Sequence, residues 1–222
     1  MKMKQKLMLL ISIIGLLGSS FAETATETAK EPLFKDGKGY YSYKKPLALT
    51  LPSDNKVLIT YFYQYGCNVC LNADDALKQY AARNADRVVL QRYPAVNKDD
   101  HLTLAFDSIF KALGKPELSD QYLFDSADTK DKLLKNNTEI KRWLTKNGIS
   151  EEQFQYLLNS DSTKQIANQS KNMNIQYSPI MPPMAILNGK YILVKDTLYN
   201  DDYTFAVLDF LVDKLQKEQE NK

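Results

Sequence analysis

A predicted strand that runs straight into a Cys-x-x-Cys pair limits the fold of this chain more than any other feature. The strand is predicted at Val57–Tyr63, where every residue is β-branched, aromatic or leucine. Such a run is typical of a strand that is buried on both faces of a sheet. Residues 64–66 break the run, and the spacing of alanine and leucine then predicts a helix over 67–83. A second strand, predicted at 87–93 and ended by Pro94, completes a β–α–β unit.

The middle of the chain, residues 98–173, predicts helices and no strand. An amphipathic helix is expected over 101–113, because its apolar residues fall on one stripe. Capping boxes that begin at Asn136 and Ser150 predict two more helices. Asp161 is expected to cap a further helix. This block therefore indicates an all-helical insertion.

Strands return after the helical block. Two short apolar runs, Met184–Leu187 and Tyr191–Val194, are joined by Asn188-Gly189, a strong signal for a tight hairpin. A terminal amphipathic helix is expected over 202–217. The order of elements predicts an α/β fold, in which a central mixed sheet is flanked by helices and interrupted by an all-helical domain. The expected parts are a first sheet segment at 23–97, the insertion at 98–173 and a second sheet segment at 174–222.

The first 22 residues predict a cleavable export signal. Three lysines precede an apolar run over 7–17, and small residues then favour cleavage after Ala22. The run is about 11 residues long, and a bilayer needs roughly 20, so an uncleaved anchor is the weaker interpretation. Cleavage removes three of the 29 basic residues and none of the 27 acidic ones, leaving a net charge near −1. No basic footprint for nucleic acid remains.

Cys67 and Cys70 are the only two cysteines of the chain. A small secreted scaffold held together by disulfides would contain more. A structural zinc site needs four ligands, and the pair together with His101, the only histidine, still falls short. We therefore expect no metal and no cofactor other than the cysteine pair itself. A dithiol that cycles with a disulfide is the favoured interpretation, and a passive disulfide or two buried thiols is the alternative.

The position of the pair predicts its chemistry. The first cysteine lies at the start of a helix, where unpaired N–H groups and the helix dipole favour an anion. Its pKa should fall, so Cys67 is predicted to be the nucleophile. Cys70, one turn further into the helix, is predicted to resolve the mixed disulfide.

Two further sets of residues are candidates for the site. Pro182 and Pro183 precede the hairpin, where a proline can simply start a strand. Thioredoxin-like folds place a cis-proline loop beside their Cys-x-x-Cys helix, and this substrate-binding role is the favoured interpretation. Asp74 is a candidate proton acceptor for the resolving thiol, although a solvated acid is the favoured interpretation. Tyrosines 61, 63 and 65 either line a substrate groove or fill the sheet.

Nearly the whole predicted mature sequence resembles the DsbA family of bacterial periplasmic oxidases. The likeness includes the strand that leads into Cys67-Asn68-Val69-Cys70, the stretch LTLAFDSIFKALG at 102–114 and the helical insertion. It also includes Pro183, which stands five residues ahead of Asn188-Gly189-Lys190-Tyr191, as in the family pattern P-x-x-x-x-N-G-K-Y. That spacing makes Pro183 the candidate cis-proline.

The resemblance implies a thioredoxin-like fold and a periplasmic thiol:disulfide interchange protein. Such a protein donates its disulfide to reduced exported proteins and is reoxidised by a quinone-linked membrane oxidase of the DsbB type. A monomer is expected. Two positions depart from the family: Asn68-Val69 replaces the usual Pro-His, and Pro182 replaces a valine or threonine that has a free N–H.

Other functions compete with a general oxidase. The missing histidine favours a disulfide reductase or isomerase of the same fold, although residues 23–56 predict no separate dimerisation domain, which argues against an isomerase. The third hypothesis is a periplasmic chaperone or peptide-binding protein whose cysteine pair takes no part in redox chemistry.

Overall fold

One mixed sheet organises the part of the chain that the computed structural model describes, residues 33–98, 100–127, 132–199 and 201–221. The predicted export signal lies outside these residues. The strands are β1 Lys35–Asp36, β2 Gly39–Ser42, β3 Val57–Tyr63, β4 Val88–Pro94, β5 Met184–Leu187 and β6 Tyr191–Val194. Their order across the sheet is β1-β2-β6-β5-β3-β4.

The strand that leads to the cysteines lies inside this sheet. β3 pairs in parallel with β4 on one side and antiparallel with β5 on the other. All seven residues of β3 are buried. The prediction of a strand covered on both faces is therefore confirmed, and the end of β3 has a fixed place in the molecule.

Eight helices occupy the described ranges. They are α1 Asn68–Arg83, α2 Leu102–Ala112, α3 Glu117–Ala127, α4 Lys132–Lys135, α5 Asn137–Lys146, α6 Glu151–Asn159, α7 Asp161–Tyr177 and α8 Asp201–Glu220. None of them is both long enough and apolar enough to cross a membrane within the residues described. Helices α2 to α7 lie between β4 and β5, so the helical insertion is confirmed, and α7 ends four residues beyond the predicted boundary at 173.

The helix caps match the sequence at two of three positions. Asn136 accepts hydrogen bonds from the amides of Thr138 and Glu139, and Ser150 accepts one from Gln153. The prediction that Asp161 caps a helix is wrong. Ser160 is the cap of α7, because its hydroxyl accepts the third amide after it, and Asp161 is the first helical residue.

The predicted hairpin between β5 and β6 is confirmed. Asn188 and Gly189 both have positive φ angles, 47° and 64°. Asn188 also ties the turn to β3, because its amide donates to the carbonyl of Leu58 at 2.9 Å and its side-chain oxygen accepts from the Leu58 amide at 2.7 Å. The hairpin thus holds β5 in register beside the strand that precedes Cys67.

Aromatic side chains join the sheet to the insertion. Tyr65, two residues beyond the end of β3, has its ring centroid 4.8 Å from that of Tyr122 in α3. Tyr122 in turn lies 5.0 Å from Phe106 in α2 and 4.7 Å from Trp143 in α5. These buried residues belong to one apolar cluster that also includes the inner residues of β3 and α1. The tyrosines at 61, 63 and 65 are therefore core residues.

Candidate active site

The two cysteines form a disulfide at the start of α1. Cys67 is the N-cap residue, with φ −110° and ψ 101°, and its sulfur accepts a hydrogen bond from the amide of Cys70 at 3.1 Å. Cys67 is half-buried, whereas Cys70 is 0% exposed. An incoming thiolate can therefore reach the first sulfur and not the second.

The surroundings of Cys67 favour an anion. A helix N-terminus presents unpaired amides and the positive end of the helix dipole. The first turn of α1 has no acidic residue that would oppose a thiolate. Asn68 is exposed and Val69 is half-buried. Neither side chain is ionisable, so the residues between the cysteines add no charge. The stabilisation of a thiolate here comes from the backbone.

Tyr61 holds the backbone of the second cysteine. Its hydroxyl donates to the carbonyl oxygen of Cys70 at 2.7 Å, and its ring is fully buried. Burial raises the pKa of Tyr61 well above its ordinary value, and the nearby carboxylate of Asp74 raises it further. The hydroxyl therefore stays protonated and stays a donor at any pH at which the protein works.

Asp74 is not a solvated acid, and the favoured interpretation of its sequence position is wrong. It is 2% exposed, and its two oxygens pair with Arg92 of β4 at 2.6 Å and with Lys78 at 2.8 Å. Both cations also bind Asp120 of α3, at 2.7 and 2.8 Å. The Asp74 carboxylate is therefore paired with two cations rather than with solvent.

These four charged groups form a network, here called the α1–β4–α3 cluster and defined as Asp74, Lys78, Arg92 and Asp120. Burial alone would lower the pKa of Arg92, but the carboxylates of Asp74 and Asp120 raise it. Burial alone would raise the pKa of Asp120, but its bonds to Lys78 and Arg92 lower it. Arg92 and Asp120 are thereby kept charged beside the active-site helix.

The segment that enters the active site makes contact with the insertion. The amide of Tyr65 donates to the hydroxyl of Thr103 in α2 at 3.1 Å. The amide of Gly66 donates to the hydroxyl of Ser126 in α3 at 3.0 Å. Gly66 has φ +75°, and a Cβ atom there would lie 2.3 Å from a methyl group of Leu134. The sequence offered no signal for Thr103 or Ser126, because a helical serine or threonine usually serves its own backbone.

The proline loop immediately precedes β5, the antiparallel neighbour of β3. The peptide bond between Pro182 and Pro183 is cis, as expected. Met184, the next residue, begins β5 and pairs with Phe62 of β3, which places the loop beside the strand that ends at the cysteines. Neither proline offers a backbone N–H.

An apolar groove of about 380 Å³ adjoins this loop. Within it, Ile180 is 91% exposed and Met181 is 62% exposed, which is unusual for large apolar side chains. The residues that line the groove are Tyr41, Ile180, Met181, Pro182, Pro183, Met184, Ile192, Val194, Lys195 and Asp196. The groove is suited to apolar side chains of a bound peptide.

Metal ligands do not converge at this site. In the described ranges no group of three or more His, Cys, Asp or Glu residues is placed to hold a metal ion. The chemistry that the geometry offers is exchange between sulfur atoms.

Comparison with known proteins places this geometry in a family. No protein-family profile matches the chain. An uncharacterized protein of Haemophilus influenzae is 34% identical over 187 residues, which cover 84% of this chain and 80% of that protein, so the two belong to one family. The thiol:disulfide interchange protein DsbA of Burkholderia cepacia is 25% identical over 182 residues, covering 81% of this chain and 85% of that protein.

Solved structures agree in fold. The crystal structure of DsbA from Pseudomonas aeruginosa superimposes with a TM-score of 0.67 at 20% identity, covering 85% of this chain and 97% of that one. The thioredoxin-like fold with a helical insertion is therefore confirmed. The chain is a DsbA-like protein of the thioredoxin superfamily and a thiol:disulfide oxidoreductase.

Proposed function

We propose that this protein works in the periplasm as an oxidase that transfers its Cys67–Cys70 disulfide to newly exported proteins. One observation supports this proposal above all. Cys67 is an accessible N-cap residue whose sulfur accepts the Cys70 amide at 3.1 Å, while Cys70 is completely buried. A disulfide whose reduced form is stabilised at a helix N-terminus is an oxidising one.

The proposed reaction has two exchange steps. A thiolate of the reduced client attacks the sulfur of Cys67, the Cys67–Cys70 bond breaks, and Cys70 leaves as a thiolate that takes up a proton. A second client thiolate then attacks the client sulfur of the mixed disulfide, and Cys67 leaves as the stabilised thiolate. The client loses two electrons and two protons. The cysteine pair gains both electrons and one proton, which binds Cys70, and the second proton goes to solvent. No cofactor other than the pair is required.

Client binding is proposed to depend on the groove beside Pro182 and Pro183. In the DsbA family the residue before the cis-proline usually has a free N–H. Pro182 occupies that position here and has none, so it cannot donate a hydrogen bond to an extended client. Apolar side chains that enter the groove would then supply most of the binding free energy. The protein is proposed to act as a monomer.

Reoxidation closes the proposed cycle. The thiolate of Cys67 would attack a disulfide of a DsbB-type membrane oxidase, and the electrons would pass to quinone. Support for this partner comes from the relatives named as DsbA. Export is proposed to remove residues 1–22, so the secreted protein should begin at Glu23 when its N-terminus is sequenced.

The first experiment tests the roles of the two cysteines. The reduced protein is treated with iodoacetamide near pH 7 and the modified thiols are identified by mass spectrometry. We expect rapid modification of Cys67 alone, because Cys70 is buried and less of it is ionised. Cys67→Ser should abolish oxidase activity, and Cys70→Ser should accumulate mixed disulfides with clients. Equal modification of both thiols would contradict the roles proposed.

The second experiment tests the direction of the reaction. Reduced, unfolded client protein is refolded with the wild type and with a control variant that lacks both cysteines. The potential of the pair is then measured against glutathione. A potential above about −200 mV, with client oxidation that the control lacks, supports the oxidase. A potential near −270 mV, the range of thioredoxin, favours the reductase instead.

The reductase remains the second candidate because of one residue. Val69 occupies the position at which the family usually has a histidine, so no imidazole is available beside the thiolate. Weaker stabilisation of the thiolate makes the disulfide less oxidising.

A further inference from the structure

Two hydroxyl groups of the helical insertion hold the backbone immediately before Cys67. Tyr65 and Gly66 lie between the end of β3 and the start of α1, so their amides depend on side-chain acceptors. The Tyr65 amide donates to Thr103 at 3.1 Å, and the Gly66 amide donates to Ser126 at 3.0 Å. Both acceptors belong to helices that are remote in sequence from the cysteines.

Each hydroxyl is itself held in place. Thr103 is fully buried, and its hydroxyl donates to the carboxylate of Asp100. That carboxylate also accepts the amides of Leu102 and Thr103 at 3.0 Å, which fixes it at the start of α2. Ser126 is 1% exposed, and its hydroxyl donates to the carbonyl of Leu123 at 3.3 Å. Because each hydroxyl proton is donated elsewhere, the hydroxyl oxygens of Thr103 and Ser126 can accept hydrogen bonds from the amides of Tyr65 and Gly66.

Packing contacts also restrict the backbone at Gly66. A methyl group of Leu134 occupies the space that a Cβ atom would need, at 2.3 Å. Tyr65 is anchored by its ring, whose hydroxyl lies 2.7 Å from that of Ser119. The segment is thus held by its amides, its buried ring and the close approach of the insertion.

We infer that Thr103 and Ser126 are positioning residues for the thiolate of Cys67. They keep Cys67 in its N-cap conformation, in which its sulfur meets the Cys70 amide at 3.1 Å. The free energy of a charge at a helix terminus falls off within the first turn, so a small displacement of the sulfur weakens it. The inference rests on the proposed nucleophilic role of Cys67.

A purely structural role is the competing explanation. The amide of Tyr65 is buried and its bond to Thr103 with it, and the bond from Gly66 to Ser126 is partly buried, so loss of either hydroxyl would lower stability whatever the cysteines do. Stability alone therefore cannot distinguish the two roles. The pKa of Cys67 can, because a structural role leaves it unchanged.

The experiment measures that pKa in reduced Ser126→Ala and Thr103→Val, from the pH dependence of Cys67 alkylation. We expect it to rise by about half a unit to one unit, so that the thiolate fraction below the pKa falls about threefold to tenfold. Thr103→Ser retains the hydroxyl and should restore the wild-type pKa. Ser108→Ala is the matched control, because the buried Ser108 hydroxyl donates to Leu104 within α2 at 2.7 Å. That variant should lose stability and keep the pKa.

A pKa that is unchanged in both variants, or shifted equally in Ser108→Ala, overturns the inference. If the variants do not fold, amide exchange in the wild type tests the premise of the inference, since the amides of Tyr65 and Gly66 should be as protected as those within α2. Rapid exchange of both amides overturns the inference as well. Alkylation of both wild-type thiols would contradict the proposed role of Cys67 instead, and amide exchange would still report whether the hydroxyls hold the segment.

Discussion

Val69 stands where the resemblance to the DsbA family leads us to expect a histidine. It stands between the cysteines, half-buried, and its aliphatic side chain can neither donate a hydrogen bond nor carry charge. The amides of the first helical turn must therefore stabilise the thiolate of Cys67 without help from the intervening residues. The pKa of Cys67 should lie below that of a free thiol, and the protein should be a weaker oxidant than relatives with Pro-His.

Val69→His should restore part of the missing stabilisation. An imidazole beside the sulfur should lower the pKa of Cys67 and raise the reduction potential, by roughly 30 mV for each pKa unit because the couple transfers two electrons. Both quantities can be measured on one preparation, by alkylation and by equilibration with glutathione. Val69→Gln, which is polar and uncharged, is the control. If histidine changes neither quantity, the thiolate is stabilised by other groups.

At single residues the sequence was informative where the signal is local. The different depths of Cys67 and Cys70 follow from one helical turn, and the caps at Asn136 and Ser150 bind amides only two or three residues away. Asp74 could not be predicted in this way. Its partner Arg92 is 18 residues distant on another element, and helix position alone gives an acid no sign that it is buried.

At the scale of elements, the α1–β4–α3 cluster links the active-site helix to the sheet and to the insertion. Asp74 belongs to α1, Arg92 to β4 and Asp120 to α3, with Lys78 bridging the two carboxylates. Arg92 also lies over the ring of Tyr63, at 5.3 Å from its centroid. The contacts fix the rotation of α1 about its axis, and so the direction in which Cys67 faces.

Asp74→Leu should destabilise the protein by about 3–5 kcal/mol, because it leaves Arg92 buried beside the sheet without its principal counter-ion. The free energy of unfolding can be measured in urea. The matched control is the double variant Asp74→Leu with Arg92→Met, which removes both buried charges and should recover much of the loss. A double variant as unstable as the sum of its single changes would show that these two groups do not act as a pair.

The strands β3 to β6 and the helices capped at Asn136 and Ser150 were predictable from the sequence, and α3 was not. The hairpin at Asn188-Gly189 and the buried strand β3 have sequence signals that the fold does not override. Glu117–Ala127 mixes buried serine and tyrosine with exposed phenylalanine, so its apolar residues do not form a clear stripe. Contacts with α1 and α2 determine this helix, and such contacts are invisible in a local pattern.

At the scale of the whole molecule, the redox state of one bond is coupled to the stability of the fold. The oxidised and reduced proteins, each folded or unfolded, form a thermodynamic cycle. The unfolded chain has neither the ordered helix amides nor the hydrogen bonds of Tyr65 and Gly66 to Thr103 and Ser126. Its cysteine pair therefore has the reduction potential of an unstructured peptide. If the reduction potential of the folded protein is higher than that of the unfolded chain, the reduced protein must be more stable to unfolding than the oxidised protein by the equivalent free energy.

If the protein is an oxidase, reduction should stabilise it. An excess of about 60 mV over the unfolded pair corresponds to roughly 2.8 kcal/mol, and for a chain of this size each kcal/mol raises the Tm by about 2–4 °C. The Tm should accordingly rise when the disulfide is reduced, although most disulfides stabilise the proteins that contain them. The variant in which both cysteines are serine should show no dependence on reductant. A lower Tm on reduction would mean that the folded state favours the disulfide, and the reductase would then be the better description of this protein.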